Sequence, residues 1–328
     1  MKTPLLYLSA EDVRRALPMP AAIEAMRDAF RQLSSGQVTL PTRQRLDAPG
    51  EHGVALVMPC HSTTQKLFCV KLVTVFEENA RRGLPAIQAL VTLTDATTGE
   101  TLAVMDGTSL TAIRTGAASG TATDVLARPE AAVVAVFGAG VQARTQLEAV
   151  CCVRAVRRAS VYDLDAAAGE SFAAEMTGKL GLPVQRANTP GEALQDADVI
   201  CTATPSSRPV FEDHELPPGT HINAVGSFRP DMIEIPSATV CRARVVVDHR
   251  ASTLEEAGDL IGPLEQGLIQ PSHVSMELGE ILLGRSPGRR SASEVTLFKS
   301  VGVAIQDLCA AARALENARR LDLGVHLS

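Results

Sequence analysis

A glycine-rich turn between an apolar run and a helix-compatible segment constrains this chain more than any other feature. Residues 133–137 read Val-Val-Ala-Val-Phe, and Gly138 and Gly140 follow in the pattern Gly-x-Gly-x-x-Ala. A strand, a tight glycine turn and a helix start in this order are typical of dinucleotide-binding domains. Gly138 would make the turn, and Gly140 would let backbone N–H groups approach a pyrophosphate at the positive helix end. The alternative is an ordinary turn that contains two glycines by chance.

Asp163 supports the dinucleotide interpretation, because it ends the next predicted strand. There its carboxylate would accept hydrogen bonds from the adenosine ribose hydroxyls. Asp165 is better placed than Asp163 to cap the following helix. No Arg or Lys occurs between residues 160 and 176, so a 2′-phosphate would find no cation there. The sequence therefore predicts NAD(H) as the preferred cofactor, with NADP(H) as the alternative.

The composition and net charge of the chain limit the classes of partner that it can bind. A chain of 328 residues with 45% hydrophobic and 21% charged residues is typical of a globular protein of two domains. A net charge of −6 argues against nucleic acid and anionic membranes as partners. No apolar run reaches the roughly 20 residues that cross a bilayer. The seven cysteines show no C-x-x-C pair and no metal-ligand spacing, so we expect no metal and a reducing, cytoplasmic location.

The remaining periodicity predicts an α/β protein with two kinds of sheet. Leu5–Leu8 is predicted as an edge strand, and Ser9 as the cap of a helix that is interrupted at Pro18 and Pro20. Strands joined by short turns predict an antiparallel or mixed sheet in the first third, at 54–58, 67–75, 87–94 and 101–105. A helix of small residues at 109–126 leads into alternating strands and helices, the rhythm of a doubly wound parallel sheet. A last helix, 301–320, carries an apolar stripe that we expect to return to the N-terminal sheet.

Cations in apolar surroundings are the candidates for binding a substrate. Lys71 lies in a nearly all-apolar strand, and Arg114 is the lone charge in a helix of small residues. Arg43 and Arg45 alternate along an extended segment. Charged groups of this kind are rarely buried without a partner, and a substrate carboxylate is the simplest anion to pair with them. The alternative is an internal salt bridge to Asp or Glu.

The segment 223–236 follows a late strand of the predicted parallel sheet, at the edge where a cofactor would lie. Gly226 would allow close approach to a nicotinamide. Asp231 and Glu234 are candidates for proton transfer, although a capping or loop role is the favoured interpretation.

Six motifs, in this order, resemble those of the ornithine cyclodeaminase/mu-crystallin family: Met58-Pro59, Val70-Lys-Leu-Val, Leu110-Thr-Ala-Ile-Arg-Thr115, Val136-Phe-Gly-Ala-Gly-Val-Gln-Ala143, Asn223-Ala-Val-Gly226 and Val295-Thr-Leu-Phe-Lys-Ser-Val-Gly302. The resemblance implies a homodimer, a Rossmann domain at 121–300 that binds a nicotinamide cofactor, and a discontinuous α+β substrate-binding and dimerisation domain at 1–120 and 301–328. The family's activities include ornithine cyclodeaminase, cyclic ketimine reductase and alanine dehydrogenase.

The resemblance also assigns residues. Arg43, Lys71 and Arg114 match the family's carboxylate-binding residues, and Arg45 competes with Arg43 because the register there depends on a short gap. Met58 and Phe228 are further substrate candidates. The cofactor candidates are Thr115, Gly138, Gly140, Val141, Gln142, Asp163, Val225 and Gly226.

One departure separates members of the family. In ornithine cyclodeaminases, the motif that corresponds to residues 223–228 resembles Asn-Ala-Val-Gly-Gly-Asp. This chain has Phe228 in the place of the acid. The acid that precedes their Met-Pro is also missing, because Val57 precedes Met58. A δ-ammonium group would lack both carboxylate partners, which is costly in a closed site. Phe228 is better suited to cover an apolar ring, and ornithine cyclodeaminase is disfavoured.

We therefore expect an NAD(P)H-dependent reductase of cyclic ketimines, acting on Δ1-pyrroline-2-carboxylate and possibly its six-membered homologue Δ1-piperideine-2-carboxylate, to give L-proline or L-pipecolate. Lys71 or a bound water would deliver the proton to the imine nitrogen. The alternatives are ornithine cyclodeaminase, an alanine-type dehydrogenase, and a non-catalytic binder of cofactor and small ligand of the mu-crystallin type.

Overall fold

The structure, a computed structural model, describes residues 4–51 and 53–327, apart from the side chains of Glu77, Ala80 and Arg81. The chain divides into two compact units: a first unit of Met1–Arg114 with Val303–Ser328, and a second unit of Thr115–Gly302. The sequence places these breaks after residues 120 and 300. The first break falls inside a helix, where no change in local pattern marks it.

The described residues form strands that we number in chain order: β1 (Leu5–Leu8), β2 (Val38–Thr39), β3 (Gln44–Ala48), β4 (Gly53–Ser62), β5 (Leu67–Phe76), β6 (Ile87–Asp95), β7 (Thr101–Asp106), β8 (Val133–Phe137), β9 (Arg158–Tyr162), β10 (Val184–Arg186), β11 (Val199–Thr202), β12 (His221–Ala224), β13 (Arg244–Val247), β14 (Met276–Glu277), β15 (Thr296–Lys299) and β16 (Val325–Leu327). The helices are α1 (Ala10–Ala16), α2 (Met19–Ser34), α3 (Gly107–Leu126), α4 (Val141–Val153), α5 (Ala166–Leu180), α6 (Pro190–Leu194), α7 (Ser237–Arg242), α8 (Arg250–Glu256), α9 (Gly258–Glu265), α10 (Leu278–Leu282) and α11 (Ala304–Leu321).

The first unit is built on a mixed sheet in the order β16-β1-β7-β6-β5-β4-β2, with β3 also paired to β4. The mixed sheet predicted for this part of the chain is confirmed. The prediction that Leu5–Leu8 is an edge strand is wrong, because β1 pairs with β7 on one side and with β16 on the other. The last residues of the chain supply that second neighbour, and no local pattern near Leu5 reveals it.

The first helical segment follows its local signals. Ser9 and Asp12 form the capping box that starts α1. The predicted interruption at Pro18 separates α1 from α2, whose N-cap is Pro18, whereas the one predicted at Pro20 is wrong, because Pro20 lies in the first turn of α2, where a proline is tolerated. The cost of a proline inside a helix accounts for this break.

Helix α11 is the central helix of the first unit. It packs against α1, α2 and the strands β4, β5 and β6, and most of its first eight residues are fully buried. It begins three residues later than the predicted start at Val301. The backbone N–H groups of Val301 and Gly302 bond to Asp248 Oδ2 instead, at 3.0 and 2.8 Å.

The second unit has an all-parallel sheet in the order β10-β9-β8-β11-β12-β15-β13-β14. Apolar clusters that include Phe137 and Ile222 in one group and Val136 and Phe172 in another form its core. The predicted Rossmann-like, doubly wound sheet is confirmed. The sequence-based prediction omits one central strand, β15, which lies between β12 and β13. Within the described ranges, no helix is both long and apolar enough to cross a membrane.

Candidate active site

Lys71 lies in β5 on the side of the sheet that packs against α11. Alternate residues of this strand are buried, so Cys69, Lys71 and Val73 share one face. The strand register places Met58 of β4 directly opposite Lys71. The Lys71 side chain is only 2% exposed, so its ammonium group has exchanged water for protein partners.

The partner of Lys71 is Asp307, in the first turn of α11. Lys71 Nζ lies 2.6 Å from Asp307 Oδ2, as an ion pair without good hydrogen-bond angles. Arg114 Nε donates a hydrogen bond of 3.0 Å to the other oxygen, Oδ1. The internal salt bridge that the sequence left open for these two cations is therefore present.

Two buried cations share this single carboxylate. The side chains of Arg114 and Asp307 are 7% and 0% exposed, and with Lys71 protonated the three groups carry a formal charge of +1. Charges taken out of water need compensation, and the interaction between them is strong where water is excluded. The cluster is thus suited to accept one further negative charge, such as a carboxylate.

Burial lowers the pKa of Lys71 to about 8; the Asp307 carboxylate opposes this shift, and the Arg114 guanidinium adds to it. An ammonium group with such a pKa is mostly protonated at pH 7 and gives up its proton more readily than an exposed lysine. That is the property required of a general acid near neutral pH.

Asp307 is the residue that the sequence analysis missed. The signal was present, because Gln306 and Asp307 interrupt the apolar stripe of a helix whose other early residues are Ala304, Ile305 and Leu308. A polar pair on the buried side of a helix indicates a buried partner.

The two candidate arginines before β4 differ in their surroundings. Arg45, in β3, forms an ion pair with Asp47 at 2.7 Å, and both side chains are more than half exposed. Arg43 immediately precedes β3 and is half-buried. Gln44 pairs with Val57, so extending that register puts Arg43 level with Met58, in the row that contains Lys71.

In the second unit the predicted glycine turn joins β8 to α4. Gly138 has φ +95°, and a Cβ there would meet the carbonyl oxygen of Ala203 at 2.7 Å. Gly140 is the N-cap of α4 and makes no side-chain capping bond. A Cβ on Gly140 would meet nothing within 4 Å. The start of α4 thus offers backbone N–H groups to an open surface, on which the side chain of Val141 is 66% exposed.

Asp163 supports this turn directly. Its Oδ2 accepts a hydrogen bond of 2.7 Å from the Ala139 N–H, and its Oδ1 accepts one of 2.8 Å from the Asp165 N–H. Asp165 caps α5, as the sequence predicted. Arg144, which the sequence did not single out, donates to the carbonyls of Ala139 and Gly140 and pairs with Glu175.

Two further cofactor candidates are Thr115, in α3, and Gln142, in the first turn of α4. Gln146 Nε2 donates a hydrogen bond of 3.2 Å to the carbonyl oxygen of Thr115, which fixes the backbone of α3 at that position. The side-chain oxygen Oε1 of Gln142 is buried and accepts no hydrogen bond from any described residue. An acceptor in that state is available to a bound ligand that carries an N–H or O–H group.

The loops after β11 and β12 are tied together by Glu234, which is fully buried. Its oxygens accept hydrogen bonds from the backbone N–H groups of Thr204, Gly226 and Ser227 and from the hydroxyls of Thr202 and Thr204. A Cβ on Gly226 would lie 2.3 Å from the carbonyl oxygen of Thr204. The loop role favoured for Glu234 is confirmed; this carboxylate shapes the loop that contains Val225 and Gly226.

Two other candidate residues follow β12: Asp231 lies on the surface, and Phe228 packs against the apolar core of the second unit. Asp231 pairs with Arg229 on the surface. Phe228 is partly buried and packs against the apolar cluster of the second unit, whereas Lys71, Met58 and Arg114 belong to the first unit. Within the part of the chain that is described, no group of three or more His, Cys, Asp or Glu side chains is arranged to hold a metal ion.

Known proteins are similar to this chain over nearly its whole length. A Δ1-pyrroline-2-carboxylate reductase of Bacillus cereus (strain ZK / E33L) is 39% identical over 321 residues, 98% of each chain. The solved structure of Thermococcus litoralis Δ1-pyrroline-2-carboxylate reductase in complex with NADH and L-proline shares 40% identity with a TM-score of 0.95, and covers 98% of this chain and 100% of its own. An archaeal alanine dehydrogenase dimer with bound NAD is 33% identical with a TM-score of 0.92, over 99% of both chains.

A family model supports the same relationship. The model of the ornithine cyclodeaminase/mu-crystallin family matches residues 5–321, which includes every motif on which the resemblance rested. With full-length relatives above 30% identity as well, the resemblance is confirmed. The chain belongs to the ornithine cyclodeaminase/mu-crystallin family.

Proposed function

We propose that the protein is a nicotinamide-dependent reductase of cyclic ketimines, with Δ1-pyrroline-2-carboxylate as its main substrate and L-proline as the product. The observation that carries the proposal is the buried cluster of Lys71, Arg114 and Asp307, which holds one excess positive charge. A monocarboxylate with a neutral imine nitrogen balances that charge. The pyrroline-2-carboxylate reductases that are similar over the full length of the chain support this choice.

In this proposal the substrate carboxylate is held by Arg114 and Arg43. Arg114 uses Nε and Nη1 for contacts with Asp307 and Gln306, and these two contacts leave its Nη2 for the substrate. The half-buried Arg43 would approach from the row of Met58. Arg45, exposed and paired with Asp47, is the weaker candidate.

Lys71 is proposed to supply the proton. Reduction of C=N needs a hydride on carbon and a proton on nitrogen, and the bound reduced nicotinamide supplies the hydride. The Lys71 ammonium donates its proton to the imine nitrogen and is left as a neutral amine, which takes a new proton from solvent. Its pKa of about 8 suits this transfer. The positioning of imine and proton donor is the chain's main catalytic contribution.

The alternative activities fit the residues less well. Ornithine carries a second ammonium group, and the positions where cyclodeaminases have acids are occupied by Val57 and Phe228. An alanine-type dehydrogenase would use the same carboxylate site, so only assay separates it from a ketimine reductase. A non-catalytic binder would have no need of a lysine whose pKa burial lowers to about 8.

We expect an NADH-oxidation panel to place pyrroline-2-carboxylate first. Its kcat/KM should exceed those of piperideine-2-carboxylate and of pyruvate with ammonia by about tenfold or more, because the fit of a ring to a closed site is worth about 1–3 kcal/mol per methylene. L-ornithine with NAD⁺ should give no proline. Proline formation from ornithine, or turnover of pyruvate with ammonia alone, would overturn the proposal.

The second unit fits a dinucleotide. The uncapped N-terminus of α4 at Gly140 suits a pyrophosphate, and the buried side-chain oxygen of Gln142, which accepts no hydrogen bond from the described residues, suits a polar hydrogen on the ligand. Thr115, Val141, Val225 and Gly226 complete the proposed set, and the NADH and NAD of the two solved relatives support it. We further propose NAD(H) over NADP(H), because the Asp163 carboxylate would repel a 2′-phosphate.

We predict that kcat/KM favours NADH over NADPH by about 100-fold, since like charges in contact cost several kcal/mol. Asp163→Asn removes the charge and keeps an acceptor for the Ala139 N–H, so it should lower that ratio about tenfold or more, mainly by improving NADPH. Asp165→Asn is the matched control, because Asp165 caps α5, and it should leave the ratio unchanged. A wild-type ratio near one would contradict the role given to Asp163.

We also propose that two copies of the chain associate through the outer face of the first sheet. That face, opposite to Lys71, presents Phe68, Val70, Leu72 and Leu90, which are 37–45% exposed. A continuous apolar patch of this kind is typical of a protein interface. The dimeric state of the alanine dehydrogenase relative favours a second copy as the occupant.

The seven free cysteines support the expected reducing, cytoplasmic location.

Sedimentation should therefore give the mass of two chains. Leu72→Asp places a charge in the centre of the outer face and should shift the protein to monomer. Leu268→Asp, at a residue of the second unit that is 52% exposed, is the matched control and should remain dimeric. A monomeric wild type, or a dimeric Leu72→Asp protein, would place the interface elsewhere.

A further inference from the structure

Gln306 precedes Asp307 in α11 and is fully buried. Its Oε1 accepts a hydrogen bond of 2.7 Å from Arg114 Nη1. Arg114 therefore donates to two consecutive residues of the helix, through Nη1 to Gln306 and through Nε to Asp307. Gln306 belongs to the same cluster as Lys71, although neither the sequence motifs nor the charge pattern singled it out.

The bond from Arg114 fixes the orientation of the Gln306 amide. A guanidinium group only donates, so the side-chain oxygen must face Arg114 and the nitrogen must face away from it. That nitrogen, Nε2, is buried and donates to none of the described residues. It is bonded to the same carbon as Oε1 and so lies within a few ångströms of the guanidinium.

A buried donor without an acceptor is destabilising, because it has lost its hydrogen bonds to water and gained none. Such a group is explained when a ligand supplies the missing acceptor. The acceptor that the cluster lacks is an anion, because Lys71 and Arg114 together outweigh Asp307 by one charge. A carboxylate placed against Arg114 offers several lone pairs to neighbouring donors.

We propose that Gln306 is a substrate-binding residue, whose Nε2 donates a hydrogen bond to the carboxylate of the imino acid. Arg114 supplies the charge, and Gln306 holds Arg114 in place and adds a neutral donor beside it. This inference rests on the proposed function, because it takes the ligand to be a 2-carboxylate. It makes the amide of Gln306 a determinant of specificity for carboxylated over plain cyclic imines.

The decisive variant is Gln306→Glu. Glutamate keeps an oxygen for Arg114 and strengthens that bond, but it replaces the Nε2 donor by an oxygen that repels a carboxylate. The new carboxylate would also cancel the one excess positive charge of the cluster, so a rise in KM supports the inference only when the neutral variant Gln306→Met shows it too. If Gln306 binds substrate, KM for pyrroline-2-carboxylate should rise about 10- to 100-fold, the range for a hydrogen bond to a charged group, while KM for NADH stays constant.

A second variant and a control secure the result. Gln306→Met removes both donor and acceptor without adding charge, and it should raise KM about tenfold. Gln32→Glu buries a carboxylate at another buried glutamine of the first unit, which bonds to Ser62 and Cys309, and should leave KM unchanged. The imine Δ1-pyrroline, which has no carboxylate, should be reduced equally well by wild type and both Gln306 variants.

Wild-type turnover of pyrroline-2-carboxylate tests the proposed function by itself. The inference depends instead on the ratio of variant to wild type, measured with whichever 2-carboxylate the wild type reduces. An unchanged KM in Gln306→Glu, or an equal loss on Δ1-pyrroline, would overturn it.

The pH dependence of the Gln306→Glu variant gives a further test. A carboxyl group introduced at this position can donate a hydrogen bond while it is protonated and repels the substrate once it is ionised. The KM of the variant should therefore rise between pH 6 and pH 9, relative to that of the wild type. A KM equal to that of the wild type throughout this range would also overturn the inference.

Discussion

The carboxylate of Asp307 is the interaction on which the first unit's site depends. It joins Lys71 in a strand, Arg114 in a helix and the start of α11, three segments that are far apart in the sequence. Either cation alone in this apolar surrounding would be strongly unfavourable, and removal of one partner from a buried pair typically costs about 3–5 kcal/mol. The acid makes the burial possible, and the charge that remains is what an anionic substrate can use.

In the second unit, three carboxylates have a related part, because they organise backbone N–H groups. Glu234 gathers the N–H groups of Thr204, Gly226 and Ser227, and Asp248 gathers those of Val301 and Gly302. Asp163 holds the glycine turn through the Ala139 N–H. Each acid fixes a loop that follows a parallel strand, the edge at which ligands bind in such sheets.

What the sequence could predict was local. The glycine turn, the helix cap at Ser9 and the strand β5 depend on neighbouring residues, and the sequence predicts them with bounds within a few residues. The cations Lys71 and Arg114 were found because charge in an apolar run is conspicuous. Their partner was not, because nothing near Lys71 points to a residue 236 positions away, the separation of Asp307 in the numbering.

Pairings between distant segments of the chain account for the other features that the sequence does not predict. The sequence does not predict that β1 pairs with residues 325–327. It also does not predict β15, which comes last in the chain among the strands of the parallel sheet but lies in its interior. The choice between Arg43 and Arg45 also needed the register of β3 against β4. Strand register is set by pairing partners and turn geometry, so it emerged only with the fold.

The Asp307 carboxylate keeps Lys71 protonated, so that Lys71 can transfer a proton to the imine nitrogen. The most direct test is the pH profile of kcat/KM in the Asp307→Asn variant. Lys71 must be protonated to act, so wild-type activity should fall as the pH rises through about 8, the pKa of the buried ammonium. The Asp307 carboxylate raises the pKa of Lys71 against the effect of burial. Its removal should therefore move the fall in activity to lower pH, and a fall at the wild-type pH would contradict the account.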